Sequence, residues 1–182
     1  MNSDIRTIAT ARGNFILRPE RPEDDRFLFE LFAANNIDIL HKGGFPPEVI
    51  ENLINFQYCS QTNTYRSMFP EAIFSIVSFE GKDIGRYIEH DEIDVVYFVD
   101  FVLLPAYQAK GLGFALTRAL MDEWATRGRG TRVKVMVNNE PSLKMCRRLG
   151  FTQSEPDEMA YVELRWYPPH LAAKAGAPSA SD

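Results

Sequence analysis

Residues 102–115 read Val102-Leu103-Leu104-Pro105-Ala106-Tyr107-Gln108-Ala109-Lys110-Gly111-Leu112-Gly113-Phe114-Ala115. Upstream, the run Ile93–Leu104 is rich in β-branched and aromatic residues and predicts a buried strand. Pro105 ends it, because proline has no N–H to give to a sheet ladder. Downstream, Phe114–Arg127 has helical spacing, with Leu112, Leu116, Ala119, Leu120 and Trp124 near one face. A strand, a short glycine-bearing loop and a helix together present bare backbone N–H groups to an anion. The first N–H groups of a helix lack internal partners, and the macrodipole adds partial positive charge there. Gly111 and Gly113 let a phosphate approach without a Cβ in the way, and Lys110 adds a charge beside it.

The spacing is not that of a P-loop, which needs four residues between its glycines and then Gly-Lys-Ser/Thr. It is not a dinucleotide fingerprint either, since Leu116 stands where the third glycine belongs. Gln108-x-x-Gly111-x-Gly113 instead resembles Gln/Arg-x-x-Gly-x-Gly/Ala, the pyrophosphate loop of the GCN5-related (GNAT) N-acetyltransferases. A second stretch, Asn139-Glu140-Pro141-Ser142-Leu143-Lys144-Met145-Cys146-Arg147-Arg148-Leu149-Gly150-Phe151, resembles that family's Asn-x-x-Ala-x-x-[Leu/Phe]-Tyr-x-x-x-Gly-Phe. The resemblance spans about Phe15–Tyr167 and is specific from about Asp100 to Phe151.

The resemblance implies acetyl-CoA as co-substrate and direct acetyl transfer to a primary amine through a ternary complex. It places the pyrophosphate over Gln108, Ala109, Lys110, Gly111, Leu112, Gly113 and Phe114. It sets the pantetheine arm against the backbone of Phe101, Val102 and Leu103, with Asn139 hydrogen-bonding that arm or nearby backbone. Read from the residues alone, Asn139 serves equally well as a helix N-cap. The departure is at Cys146, where the family usually has a tyrosine that protonates the departing CoA thiolate. A thiol with an ordinary pKa of about 8.5 is a weak donor that could act as the acid in principle. Alternatively Cys146 fills a small apolar space on the inner face of its helix. Tyr107, Tyr161 or water remain open as substitutes.

At 182 residues the chain predicts one domain with room for a core. A hydrophobic content of 45% argues against general disorder. A net charge of −5 argues against a nucleic-acid partner, which needs a concentrated basic face. Two cysteines, Cys59 and Cys146, make no disulfide framework, and no apolar stretch approaches the ~20 residues of a membrane span. Residues 1–14 are polar and carry no signal-peptide core. We expect a cytoplasmic protein with no membrane partner and no resident metal.

In order, the chain predicts a polar lead-in over residues 1–13 and a strand at Phe15–Pro19. Helices follow at Glu20–Asn36 and Glu48–Tyr65, joined by a flexible loop at His41–Gly44. A hairpin of Ala72–Phe79 with Ile84–His90 leads to the central strand. After the motif helix come a strand at Arg132–Val137, a short helix at Asn138–Leu149 and strands at Phe151–Ser154 and Met159–Tyr167. Residues 168–182, rich in Ala, Ser, Pro and Gly, predict a disordered tail. The fold class is α/β, with helices flanking one sheet. The family order adds that this sheet is mixed and mostly antiparallel. The expected domain is residues 14–167. The aromatic strand Glu163–Tyr167 calls for cover, and the family frequently dimerises, so a homodimer is expected.

For the acceptor, transfer to an amine needs a neutral nitrogen and hence a group to take or hold its proton. Asp100, Glu89, His90, Asp91 and Glu92 are the candidates. Asp100 stands out because it lies between apolar neighbours, where a charge is costly unless paired. It is either catalytic or a brace bonded to Arg86, Tyr87 or backbone. The polar-aromatic stretch Gln57–Arg66 resembles the part of the family fold that lines the acceptor pocket. The acceptor itself stays open, from a small amine to a peptide. A non-catalytic acyl-CoA-binding or sensing domain that has lost its acid tyrosine is the alternative function.

Overall fold

The structure, a computed structural model, describes residues 5–172. Eight strands form one sheet in the order β1-β2-β3-β4-β5-β6-β8-β7. They are β1 (Arg6–Thr10), β2 (Gly13–Pro19), β3 (Ile73–Phe79), β4 (Lys82–Asp91), β5 (Val95–Leu103), β6 (Gly130–Met136), β7 (Thr152–Gln153) and β8 (Tyr161–Trp166). Every neighbouring pair is antiparallel except β5 with β6. The helices are α1 (Asp25–Lys42), α2 (Pro47–Met68), α3 (Leu112–Thr126), α4 (Glu140–Leu149) and the short α5 (Pro169–Ala172).

Strand alternation sends successive side chains to opposite faces, and the two faces carry different cores. Ile76 of β3 and Val102 of β5, which flank Arg86 of β4, belong to a cluster with Leu28, Leu31 and Tyr58 from α1 and α2. Val77 and Leu103, one residue on in each strand, belong to the larger cluster with Leu116, Leu120 and Trp124 of α3 and Leu143 and Leu149 of α4. The α1–α2 hairpin therefore covers one face of the sheet, and α3 with α4 covers the other.

Three expectations need correction. The lead-in of residues 1–13 contains β1, which pairs with β2 through a two-residue turn in which Thr10 faces Gly13. Only one β1 side chain, Ile8, is buried as core, so the apolar signal was faint. The loop placed at His41–Gly44 begins only at Gly43, because α1 runs on through Lys42. Ile93 does not open the central strand. A turn closed by the Glu92 N–H on the Val95 carbonyl leaves Ile93 93% exposed, and β5 starts at Val95. The aromatic strand expected at the end of the domain is β8, between β6 and β7. The expected tail begins with α5, and its remainder from residue 173 lies outside the described residues.

Two features of β5 position the site. Ile88 faces Asp100 while Glu89 faces Phe98, so Val99 is an extra residue that bulges the strand. β5 also pairs with β6 only over Val95–Phe98. Beyond that point β5 continues beside β4 to Leu103, and β6 continues beside β8 to Met136. The two parallel strands part at the bulge.

Candidate active site

The gap between the parting strands is the first part of the site. Among the described residues no strand fills it, so the backbone of Val99–Leu103 has an open edge toward β6. An extended chain with amide groups can lie there and hydrogen-bond as a strand would.

The second part is the loop at the mouth of that gap. Gly111 is the N-cap of α3 with φ +76°, and Ala109 has φ +57°. Left-handed residues of this kind are what let a loop curl its N–H groups into an anion-binding nest. The N–H groups of Ala109, Lys110, Gly111, Leu112, Gly113 and Phe114 donate to no partner among the described residues, whereas Ala115 N–H already reaches Gly111 O. Six consecutive free donors at a helix N-terminus form an anion site. A Cβ on Gly113 would lie 3.6 Å from the Phe101 ring and 3.8 Å from Met145 Sδ, so this glycine faces β5 and α4. Gln108 holds the loop in place: its Nε2 donates to the Leu103 carbonyl and to Asn35 Oδ1, both at 2.7 Å.

The sequence profile of the acetyltransferase (GNAT) family matches residues 53–151. The chain belongs to this family. No curated protein sequence matches it. Among solved structures, the fold is similar to the PaiA N-acetyltransferase of Thermoplasma acidophilum in complex with coenzyme A. That likeness has a TM-score of 0.61 and 18% identity, over 85% of this chain and 99% of the other. It is also similar to RimL, a ribosomal L7/L12 alpha-N-protein acetyltransferase in complex with coenzyme A. There the TM-score is 0.61 and the identity 16%, over 89% of this chain and 98% of that one. A third likeness is to the microcin C7 self-immunity acetyltransferase MccE in complex with acetyl-CoA and AMP, with a TM-score of 0.57 and 16% identity. It covers 85% of this chain and 91% of MccE. At such identities these likenesses speak for the fold.

Within this GNAT domain the sequence-derived cofactor residues come together. Phe101, Val102 and Leu103 lie on the open edge, and Gln108 through Phe114 lie at its mouth. Two of them do something other than expected. The Gln108 side chain and the Leu103 carbonyl are spent on each other, and Asn35 Nδ2 adds a 3.2 Å bond to the same carbonyl. Asn35 carried no signal in the sequence, because an asparagine inside a helix reads as a surface residue. Asn139 caps α4, its Oδ1 accepting from Ser142 N–H at 3.2 Å, which leaves its amide N–H groups free for a ligand.

Cys146 is one of three α4 residues, with Leu143 and Leu149, that face the core, and only 4% of it is exposed. Burial pushes its thiol up to about 11. A donor that weak and that enclosed is poorly suited to protonate a thiolate. The space-filling alternative describes its environment.

On the α1–α2 face, Asp100 is bonded by Arg86, whose Nε and Nη2 both reach Oδ2, at 3.0 and 2.6 Å. Arg86 Nη2 also donates to Gln61 Oε1 at 3.0 Å, and the guanidinium lies 5.6 Å from the Tyr65 ring centre. Burial first, and then the Asp100 charge, push the Tyr65 hydroxyl well above its ordinary value; Tyr97 and Tyr161 add to this. Asp100, Arg86, Gln61 and Tyr65 thus gather beside the point where β5 and β6 part. The cavity between this group and α1 is about 70 Å³, below the ~300 Å³ at which ligand pockets begin. A cavity of that size does not admit a ligand from under α1.

The other base candidates lie elsewhere. Glu89 is on the α3 face, accepting from Arg6 at 2.6 Å and from the Tyr87 hydroxyl at 3.0 Å, and burial pushes its carboxyl up against the pull of Arg6. Asp91 and Glu92 pair with Arg129 and Arg132 near the turn before β5. His90 packs against Phe69 at the end of α2, with ring centres 5.6 Å apart.

Proposed function

We propose that the protein is an acetyl-CoA-dependent N-acetyltransferase that transfers the acetyl group directly to a primary amine. The observation that carries this reading is the parting of β5 and β6 beside six free N–H donors. A pyrophosphate fits the donors and a pantetheine amide chain fits the open strand edge. The thioester then lies near the Val99 bulge, with Asp100 next to it on the acceptor side.

In the reaction the neutral amine attacks the thioester carbonyl carbon. The C–N bond forms, the C–S bond breaks, and the electron pair leaves on sulfur. A thiol is a far stronger acid than an alcohol, as the cysteine pKa of about 8.5 illustrates, so a thiolate leaves without a dedicated acid. This accommodates the loss of the family tyrosine and the burial of Cys146. The amine proton passes to water while Asp100 holds the nitrogen through Oδ1, the oxygen that Arg86 leaves free. Known family folds crystallised with coenzyme A or acetyl-CoA support the cofactor, and the acceptor is a small-molecule or peptide amine.

The test is thiol release from acetyl-CoA with a panel of amines and N-terminal peptides. Acceptor-dependent release is expected. Tight CoA binding with no acceptor-dependent thiol from any amine would instead support the acyl-CoA-binding or sensing domain.

A further inference from the structure

The two loop glycines face in different directions, and that orients the cofactor. Gly113 faces Phe101, Leu103 and Met145, beside the gap between β5 and β6. Gly111 faces the β1–β2 turn: a Cβ there would lie 3.4 Å from Arg12 Nη2 and 3.6 Å from its Nε. A cofactor whose arm leaves past Gly113 into the gap must leave its nucleotide end on the Gly111 side. Arg12 sits at that end.

Arg12 is held in position by its turn. Thr10 Oγ1 donates to Gly13 O at 2.8 Å and accepts from Arg12 N–H at 3.1 Å, and Thr10 pairs with Gly13 across the hairpin. β1 packs along α3, so the turn stays beside the α3 N-terminus. The guanidinium makes no ion pair among the described residues, although the chain is acidic overall and most of its arginines there are paired. Lys110 and Arg148, which rest over the Tyr107 and Phe114 rings, make no ion pair there either, so the loop mouth is locally basic.

We propose that Arg12 binds the ribose 3′-phosphate of coenzyme A and lets the protein distinguish CoA from 3′-dephospho-CoA. This rests on the acyl-CoA reading of the loop. A planar guanidinium matches a phosphate with two parallel donors, and a terminal phosphate monoester offers more charge and more acceptors than a diester within the pyrophosphate.

Calorimetric titration of the full chain with CoA and with 3′-dephospho-CoA at low ionic strength tests it, since an exposed cation is screened by salt. Wild type should bind CoA about tenfold more tightly, the scale of one charge-assisted contact. Arg12→Ala should bring CoA affinity down to that of 3′-dephospho-CoA and leave the latter unchanged. An equal loss for both ligands, or an undiminished preference for CoA, would overturn the assignment. Wild type that binds neither ligand would overturn the acyl-CoA reading, and the Arg12 role with it.

Discussion

Arg86 places both of its contacts on one oxygen of Asp100 and leaves the other, Oδ1, without a bond among the described residues. The pair is a brace and a potential ligand at once. Arg86 is 6% exposed, so its charge needs Asp100, while Asp100 keeps an acceptor atom beside the gap between β5 and β6. Of the two readings of Asp100, catalytic or a brace bonded to Arg86, the bond to Arg86 is present, and the free Oδ1 keeps the catalytic reading open to experiment.

For Asp100→Asn we expect unchanged CoA affinity and a fall of about 10²-fold in kcat/KM for the amine, the scale on which losing the positioning of a reacting group slows a reaction. The amide retains acceptor capacity toward Arg86 but loses the charge, so the melting temperature should also fall. Near wild-type turnover in a folded Asp100→Asn protein would remove the residue from the mechanism and leave it as a brace.

The glycines separate binding from folding. Gly111 has positive φ, so Gly111→Val strains the backbone by about 1–2 kcal/mol as well as blocking the loop. Gly113 is helical and its Cβ would make only ordinary contacts, the nearest at 3.6 Å. Gly113→Val should therefore abolish measurable CoA binding with little change in melting temperature. CoA affinity equal to wild type in both variants would argue against a cofactor over this loop.

The two cysteines should differ sharply toward alkylation. The thiolate is the nucleophile, and burial pushes the Cys146 thiol up to about 11, whereas Cys59 is exposed on α2. At a pH of about 8 in the folded state, mass spectrometry should find iodoacetamide on Cys59 and none on Cys146 until the protein is unfolded. Cys146→Ala should keep turnover and lose stability by roughly 1–2 kcal/mol, the low end for a small buried deletion. Prompt alkylation of Cys146, or loss of turnover with stability intact, would restore it as a catalytic candidate.

The candidate cofactor site is legible in local sequence. Glycine at positions 111 and 113, proline at 105 and the apolar periods on either side are local constraints on backbone, and local constraints survive without tertiary knowledge. The same holds for Asn139 and Gly150, which bound α4 by capping chemistry. The candidate acceptor side depends on contacts between distant segments. Whether Asp100 is bare or paired rests on Arg86, 14 residues away on the next strand, and on Gln61 from a helix laid across the sheet. The role of Gln108 depends on Asn35, 73 residues away, and Arg12 reaches Gly111 because β1 packs on α3. Cys146 reads as acid or as filler until the helix face it occupies is known. Periodicity shows that α4 has an inner face, but what lies against that face is a meeting of residues far apart in the chain. That meeting excludes water and raises the thiol.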